Sequence, residues 1–155
     1  MIEMENIPFT PPPKKTKSDY MWRDIERRAK FYDLEAKVPA PYPLKEFDLA
    51  NKIAVLGMNE KWGIPYVQKT YKRWFLEGYE PAVEPNLSII LKKLNLDSKM
   101  IVEKANSEEI NQKYIQQTEL AKNKKIFGSP TFIYENEVFW GDDRLEDCIK
   151  WSKLS

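Results

Sequence analysis

Residues 124–146 read KKIFGSPTFIYENEVFWGDDRLE, and this stretch decides the fold. Phe-Gly-Ser-Pro at 127–130 ends the helical pattern before it, because proline lacks the backbone N–H that a helix interior needs. The β-branched and aromatic residues 131–134 and 138–140 are separated by the polar residues 135–137. This alternation of apolar runs around a polar turn predicts a short β-hairpin.

The residues after the hairpin predict a turn and a closing helix. Gly141 permits a sharp turn, and Asp142 or Asp143 stands where a helix N-cap belongs. The helix is predicted to direct these apolar residues toward the core: Leu145, Ile149 and either Trp151 or Leu154.

The chain before residue 126 reads as a series of helices. Two proline runs, at 8–13 and 39–43, bracket a first helix predicted at about 16–34, because proline disfavours helix just before it. Its apolar stripe is Met21, Ile25, Ala29 and Tyr32, spaced three or four residues apart. Five more helices are predicted, with end or start signals at Gly57, Gly78, Pro85, Asp97 or Ser98, and Asn106 or Ser107.

Composition excludes several chemistries. The 155 residues contain no His and one Cys, which excludes a His-based triad, a His general base, an intrachain disulfide and a CxxC pair. A formal charge of +1 gives no net field to attract nucleic acid over a distance. The chain has no apolar run of membrane-spanning length, and it starts without a signal-peptide pattern. We therefore expect a cytoplasmic protein without a metal, nucleic-acid or membrane partner.

The dipeptide Ser129-Pro130 admits two interpretations. A trans proline at the start of a strand is favoured by base rates, because only about 5–6% of X-Pro bonds in folded proteins are cis. A cis bond would instead leave the backbone N–H and C=O of Ser129 open to an extended ligand.

Other candidate residues also carry a structural alternative. Asp142 and Asp143 could receive an ammonium group, or they could simply cap the helix. Lys17 and its lysine neighbours could hold an anion, or they could be solvated. Cys148 is most simply a buried small apolar residue. The aromatic residues that are most simply core or groove walls are Trp22, Trp62, Trp74 and Tyr71.

Taken together, the order and spacing of these motifs resemble a known family. Residues 124–146 resemble the C-terminal signature of 2-hydroxychromene-2-carboxylate isomerases, relatives of kappa-class glutathione transferases in the DsbA-like thioredoxin superfamily. Residues 41–43 and 74–78 look like that family's helical insertion, and the resemblance extends over about 6–151. It implies an α/β class, a DsbA-like thioredoxin fold with a large helical insertion.

The resemblance also implies a glutathione site. In the family, the residue before a cis proline pairs with the cysteinyl unit, an acidic pair holds the γ-glutamyl end, and an Asn and a Lys reach the tripeptide or substrate. The matching residues here are Ser129 with Pro130, Asp142 with Asp143, and Asn6 with Lys17. The implied cofactor is glutathione, and the implied substrate is a small aromatic or conjugated molecule.

The family's first strand, its loop with the catalytic Ser, and the next helix and strand have no match in this chain. No catalytic residue is therefore carried over, and the N-terminal βαβ part is expected to be missing. The remaining hairpin would have an open edge, which edge strands offer to other chains. Three explanations stand: a truncated product with an internal start, an edge paired by another copy in a homodimer, or a rearranged helical domain.

We therefore expect a single domain over 1–155, mostly helical, with a helical part at 16–125 and a C-terminal ββα part at 126–155. The first functional hypothesis is a glutathione-dependent isomerase or oxidoreductase of the 2-hydroxychromene-2-carboxylate isomerase type that lacks the activating serine. The alternative is a non-catalytic thioredoxin-like interaction module or an edge-paired oligomer.

Overall fold

The computed structural model describes residues 14–154. Contacts divide this part of the chain into a helical unit, residues 14–114, and a C-terminal unit, residues 115–154. The helices and strands, in chain order, are α1 (Lys15–Phe31), α2 (Phe47–Asn59), α3 (Gly63–Glu77), α4 (Asn86–Lys92), α5 (Ser98–Ala105), α6 (Glu108–Asn123), β1 (Thr131–Tyr134), β2 (Glu137–Trp140) and α7 (Leu145–Trp151). The predicted order of six helices, a hairpin and a closing helix is confirmed.

The core of the helical unit is formed by α2 to α5 and the start of α6. These helices bury apolar side chains spaced three or four residues apart, as amphipathic helices do when they pack on one another. The buried residues are Ile53, Leu56, Tyr66, Leu87, Ile90, Leu91, Ile101, Ala105 and Ile110. They fix the relative positions of the helices that carry the pocket described below.

Two glycines allow the end of α2 to approach the start of α3. A Cβ on Gly63 would lie 2.5 Å from the backbone nitrogen of Met58, and one on Gly57 would lie 2.6 Å from the Trp62 ring. Contacts this short are not tolerated, so these positions need residues without a side chain. The close approach brings α2 and α3 together along one side of the unit.

Two predicted helix boundaries in the helical unit are confirmed. Gly78 caps the C-terminus of α3 in the left-handed conformation, with φ 77°. Asp97 caps α5, since its side chain accepts a hydrogen bond from the backbone nitrogen of Met100 at 2.8 Å. Both ends therefore form by the local rules that the sequence suggested.

Helix α1 differs from its prediction. It ends at Phe31 rather than near residue 34, and Tyr32, predicted on the apolar stripe, is 54% exposed. Met21, Ile25 and Ala29 are half-buried, and Ser18 is buried. The stripe therefore lies at a partly covered surface and not in a core.

The C-terminal unit contains the predicted hairpin. β1 and β2 are antiparallel and pair Thr131 with Trp140 at one end and Tyr134 with Glu137 at the other. The turn contains two residues, and Glu135 adopts a positive φ of 53° there. Within residues 14–154, these two strands form the whole sheet.

The start of the closing helix corrects the predicted cap. Residues Asp142–Arg144 form a 3-10 turn, and α7 begins at Leu145 without a side-chain capping bond. The predicted core face of α7 is also wrong, since Leu145, Ile149, Trp151 and Leu154 are each more than 40% exposed. Cys148 is the buried residue of α7, as predicted.

Across residues 14–154, no helix combines the length and the apolar character required to span a membrane.

Candidate functional site

The loop before β1 presents the backbone of Ser129. The Ser129–Pro130 peptide bond is cis, contrary to the trans geometry that base rates favour, and both residues are exposed. Within residues 14–154, no hydrogen bond uses the backbone N–H or C=O of Ser129. These two groups are therefore available to an extended ligand.

Contacts on both sides hold this loop against the hairpin. The Thr131 hydroxyl donates a hydrogen bond to the Gly128 carbonyl at 2.6 Å. The Trp140 ring lies against Gly128, where a Cβ would collide with it. The same ring packs edge-on against the Phe127 ring, with 5.0 Å between the ring centroids. The hairpin thus positions Ser129 from β1 and from β2.

The acidic pair follows directly from β2. The backbone N–H of Gly141 donates to the Pro130 carbonyl at 3.0 Å, which joins the start of β1 to the end of β2. Gly141 has φ 126°, a conformation that side chains disfavour, and it turns the chain into Asp142 and Asp143. Ser129, Pro130, Asp142 and Asp143 therefore lie at the same end of the hairpin.

This end of the hairpin is negatively charged. Residues 142–147 contain four carboxylates and one guanidinium. Arg144 donates to Asp147 Oδ2 at 2.8 Å. That hydrogen bond, with the charges of Asp143 and Asp147, raises the pKa of Arg144. Carboxylates beside an open backbone edge can receive the ammonium group of a peptide-like ligand.

The other two predicted residues lie elsewhere in the chain. Lys17 is exposed in the first turn of α1, in the helical unit. Asn6 lies outside the described residues 14–154. The structure thus brings together four of the six predicted glutathione residues.

The helical unit contains a pocket that the sequence did not predict. It has a volume of about 160 Å³ and lies between α2, α3 and the segment 42–44. Its walls are Tyr42, Leu44, Phe47, Ala50, Asn51, Ala54, Tyr66, Val67, Thr70, Tyr71, Trp74 and Pro81. The sequence identified Tyr71 and Trp74 as core or groove walls, but the pairing of α3 with α2 has no signal in either helix alone.

Two hydroxyl groups lie buried beside this pocket. Tyr66 is 2% exposed, and its hydroxyl donates only a long hydrogen bond, 3.5 Å, to the Ala50 carbonyl. Burial raises the pKa of Tyr66 to about 12, an effect that the neighbouring Thr70 hydroxyl partly opposes. Thr70 Oγ1 itself has no hydrogen-bond partner of normal geometry among residues 14–154.

Comparison with known proteins identifies relatives of this chain. It is 28% identical over 131 residues to 2-hydroxychromene-2-carboxylate isomerase of Pseudomonas putida, covering 84% of this chain and 63% of the relative. It is 25% identical over 126 residues to the enzyme of that name from Sphingobium xenophagum, covering 81% of this chain and 63% of that relative. The chain thus spans less than two thirds of the length of these curated relatives.

A solved structure of 2-hydroxychromene-2-carboxylate isomerase is similar to this chain with a TM-score of 0.74 and 27% identity, covering 93% of this chain and 73% of that structure. This similarity confirms the predicted thioredoxin-like fold with a helical insertion. A family model described as DSBA-like thioredoxin domain matches residues 1–150. The chain therefore belongs to the family of DsbA-like thioredoxin domains, and the relatives to which it is similar are 2-hydroxychromene-2-carboxylate isomerases.

Proposed function

We propose that this chain carries the glutathione-binding part of a glutathione-dependent isomerase or oxidoreductase of the 2-hydroxychromene-2-carboxylate isomerase type. The relatives named above are isomerases of that name. The substrate would be a small aromatic or conjugated molecule, and the location the cytoplasm, where glutathione keeps thiols reduced.

The observation that carries the proposal is the arrangement at one end of the hairpin. Ser129 offers an exposed backbone N–H and C=O, and Asp142 and Asp143 follow the strand paired with β1. Glutathione has a peptide backbone and an amino-acid end with an ammonium group, so an open backbone edge beside carboxylates fits it.

Each residue has a proposed role in binding. Ser129 pairs its backbone with the cysteinyl unit, next to Pro130, and the acidic pair Asp142 and Asp143 holds the ammonium group. Lys17 and Asn6 are proposed to reach the remaining part of the tripeptide or the substrate. When bound, glutathione supplies the thiol nucleophile. The chain does not itself offer one, because its single cysteine, Cys148, is buried.

The test is calorimetric titration of the 155-residue chain with glutathione. Asp143→Asn should weaken binding at least about fivefold, because it removes one of the charges facing the ammonium group. The matched control is Glu137→Gln, which removes a charge at the opposite end of the hairpin and should leave the affinity unchanged. Absence of binding at millimolar glutathione, or equal effects of the two variants, would reject the site.

The open edge of β1 favours a second candidate function, pairing with another chain. Within residues 14–154, β1 pairs with β2 on one side and with no strand on the other, and its Ile133 is 36% exposed. An exposed strand edge is a template for a further strand. The chain would then act as an edge-paired oligomer or as a non-catalytic interaction module.

Light scattering after size exclusion separates the two candidates. Edge pairing predicts a dimer that Ile133→Lys converts to a monomer, since a charge at an edge discourages strand addition. A monomer that binds glutathione supports the first function, whereas a monomer that ignores glutathione contradicts both the glutathione site and the pairing of the edge with another copy.

A further inference from the structure

The pocket of the helical unit is built as a binding site of its own. It lies between α2, α3 and segment 42–44, and every residue that lines it belongs to the helical unit. An inference about this pocket does not rest on the glutathione site proposed above.

The size of the pocket matches one aromatic ring. A cavity of about 150 Å³ lined by apolar side chains is sufficient to bind benzene. The pocket here measures about 160 Å³, which is enough for a single ring with a small substituent.

The charge of the pocket selects a neutral ligand. Its twelve lining residues, all within the described range 14–154, include no Lys, Arg, Asp or Glu. A carboxylate placed there would lose its hydration without gaining a counter-charge, which is strongly unfavourable. The pocket is therefore unsuited to an aromatic carboxylate and suited to an uncharged molecule.

Aromatic side chains form one wall. The Tyr71 and Trp74 rings lie 5.6 Å apart, and Trp74 is held by a hydrogen bond from its indole N–H to the Pro41 carbonyl at 2.8 Å. The Trp74 ring, held in this way, and the Tyr71 ring beside it offer faces and edges to a planar ligand, the arrangement that aromatic pairs prefer.

Two polar side chains that line the pocket have an oxygen that accepts no hydrogen bond of normal geometry within residues 14–154. Thr70 is 6% exposed, and its hydroxyl oxygen has no hydrogen-bond partner of normal geometry within the described chain, although it lies next to the Tyr66 hydroxyl. Asn51 donates its amide to the Phe47 carbonyl at 2.8 Å, and its side-chain oxygen accepts no hydrogen bond from residues 14–154. Buried polar groups are normally paired, so the buried Thr70 oxygen, with the half-buried Asn51 oxygen beside it in the lining, points to a ligand with a donor.

We propose that this pocket binds a small, neutral, single-ring aromatic molecule that carries one hydroxyl group, with phenol as its simplest form. The ring lies against Tyr71 and Trp74, and the hydroxyl donates to Asn51 or Thr70.

The test is to titrate the full chain, in the absence of glutathione, with phenol, with benzene and with benzoate. Amide chemical shifts measured by NMR report the binding. Phenol is expected to bind saturably and to shift signals of α2 and α3, and benzoate to bind at least tenfold more weakly. Benzoate binding as tightly as phenol, or no saturable binding of phenol at tens of millimolar, would overturn the proposal.

Variants locate the binding. Ala50→Phe fills the pocket and should lower phenol affinity at least tenfold, whereas Met58→Phe adds a ring to the exposed side of the same helix and should not change it. Val67→Phe repeats the test from α3 if Ala50→Phe fails to fold. Thr70→Val together with Asn51→Leu should reduce the preference for phenol over benzene, and an unchanged preference would contradict the assigned acceptors.

Discussion

The helical unit and the C-terminal unit differ in how they bury apolar side chains. In the helical unit, nine apolar residues form one buried cluster, and Ile53, Ile90 and Leu91 are 0% exposed. Among the described residues 115–154, Cys148 is the buried apolar residue, while Trp140, Ile149 and Trp151 are each close to half exposed.

The difference shows that forming an element and covering it are separate requirements. The hairpin and α7 form from local signals, but a two-stranded hairpin alone is only marginally stable in water. A domain needs a second layer over each apolar face. The helical unit supplies that layer from its own helices, whereas the apolar faces of the C-terminal unit stay largely exposed.

The largest expected effect tests this comparison with one substitution made in each unit. Ile90→Ala should lower the free energy of unfolding by about 2–5 kcal/mol, because it opens a cavity in a packed core. Ile149→Ala, at a position 45% exposed, should change it by less than about 0.5 kcal/mol. Urea unfolding followed by circular dichroism measures both, and equal losses would show that Ile149 is covered in solution.

The second prediction uses alkaline pH as a probe of burial. Because the pKa of Tyr66 is raised to about 12, the folded state holds this proton more tightly than the unfolded state. The resulting contribution to the free energy of unfolding is complete below about pH 10. It falls by up to about 2–3 kcal/mol as the pH rises through about 12. Tyr66→Phe should remove this part of the pH dependence, while Tyr134→Phe in the hairpin should keep it. Urea unfolding at pH 9 and pH 11.5 measures the loss of stability for each variant. An equal loss for Tyr66→Phe and Tyr134→Phe would contradict the burial argument.

The third prediction compares two glycines. Gly63→Ala places a Cβ against backbone atoms of Gly57 and Met58, which cannot move away, so a loss of about 1–3 kcal/mol is expected. Gly128→Ala meets the Trp140 side chain, which is 54% exposed and can rotate. Thermal unfolding should therefore show the larger loss for Gly63→Ala, and the reverse order would mean that Trp140 is held more firmly than the helix ends.

The smallest expected effect concerns ion pairs. Hydrogen bonds from Lys104 and then from Trp62 lower the pKa of Glu60. A lowered pKa stabilises the fold above the usual range of a Glu, and this contribution is lost as pH falls through the folded-state pKa. Glu60→Gln should thus cost less than about 1 kcal/mol at pH 7 and nothing at pH 2.

The C-terminal unit offers the matched control for this pair. Asp147 pairs with Arg144 three residues away, and both side chains are about half exposed. Asp147→Asn should therefore have no measurable effect on urea unfolding at either pH. A larger effect here than at Glu60 would contradict the view that the helical unit is the better packed.

Local signals were sufficient for the elements. The β-branched and aromatic run 131–134, Gly78 as a left-handed cap and Asp97 as an N-cap all act within a few residues, and each was predicted from the sequence. The prediction of the turn was less accurate, since β2 begins at Glu137, inside the predicted turn. Glu135 adopts a positive φ there, and the sequence contains no Asn-Gly or Asp-Gly pair that would have predicted so tight a turn.

Features that depend on contacts between distant residues could not be predicted. The apolar spacing of Leu145 and Ile149 indicates a face but not whether anything covers it. The pocket likewise requires Ala50 on α2 to meet Thr70 on α3, a pairing that neither helix specifies. Of the candidate site, the sequence order identified Ser129 and the acidic pair, while their meeting at one hairpin end follows from strand register.

The placement of the tryptophans makes the two units distinguishable by their light emission. Trp62 and Trp74 are half-buried, and their indole N–H groups donate to Glu60 and to the Pro41 carbonyl. Trp140 and Trp151 are 54% and 46% exposed, so water surrounds much of their rings. The emission of the C-terminal pair should therefore lie at longer wavelength, and an uncharged quencher such as acrylamide should quench that pair first. The chain thus carries a built-in optical label for each unit.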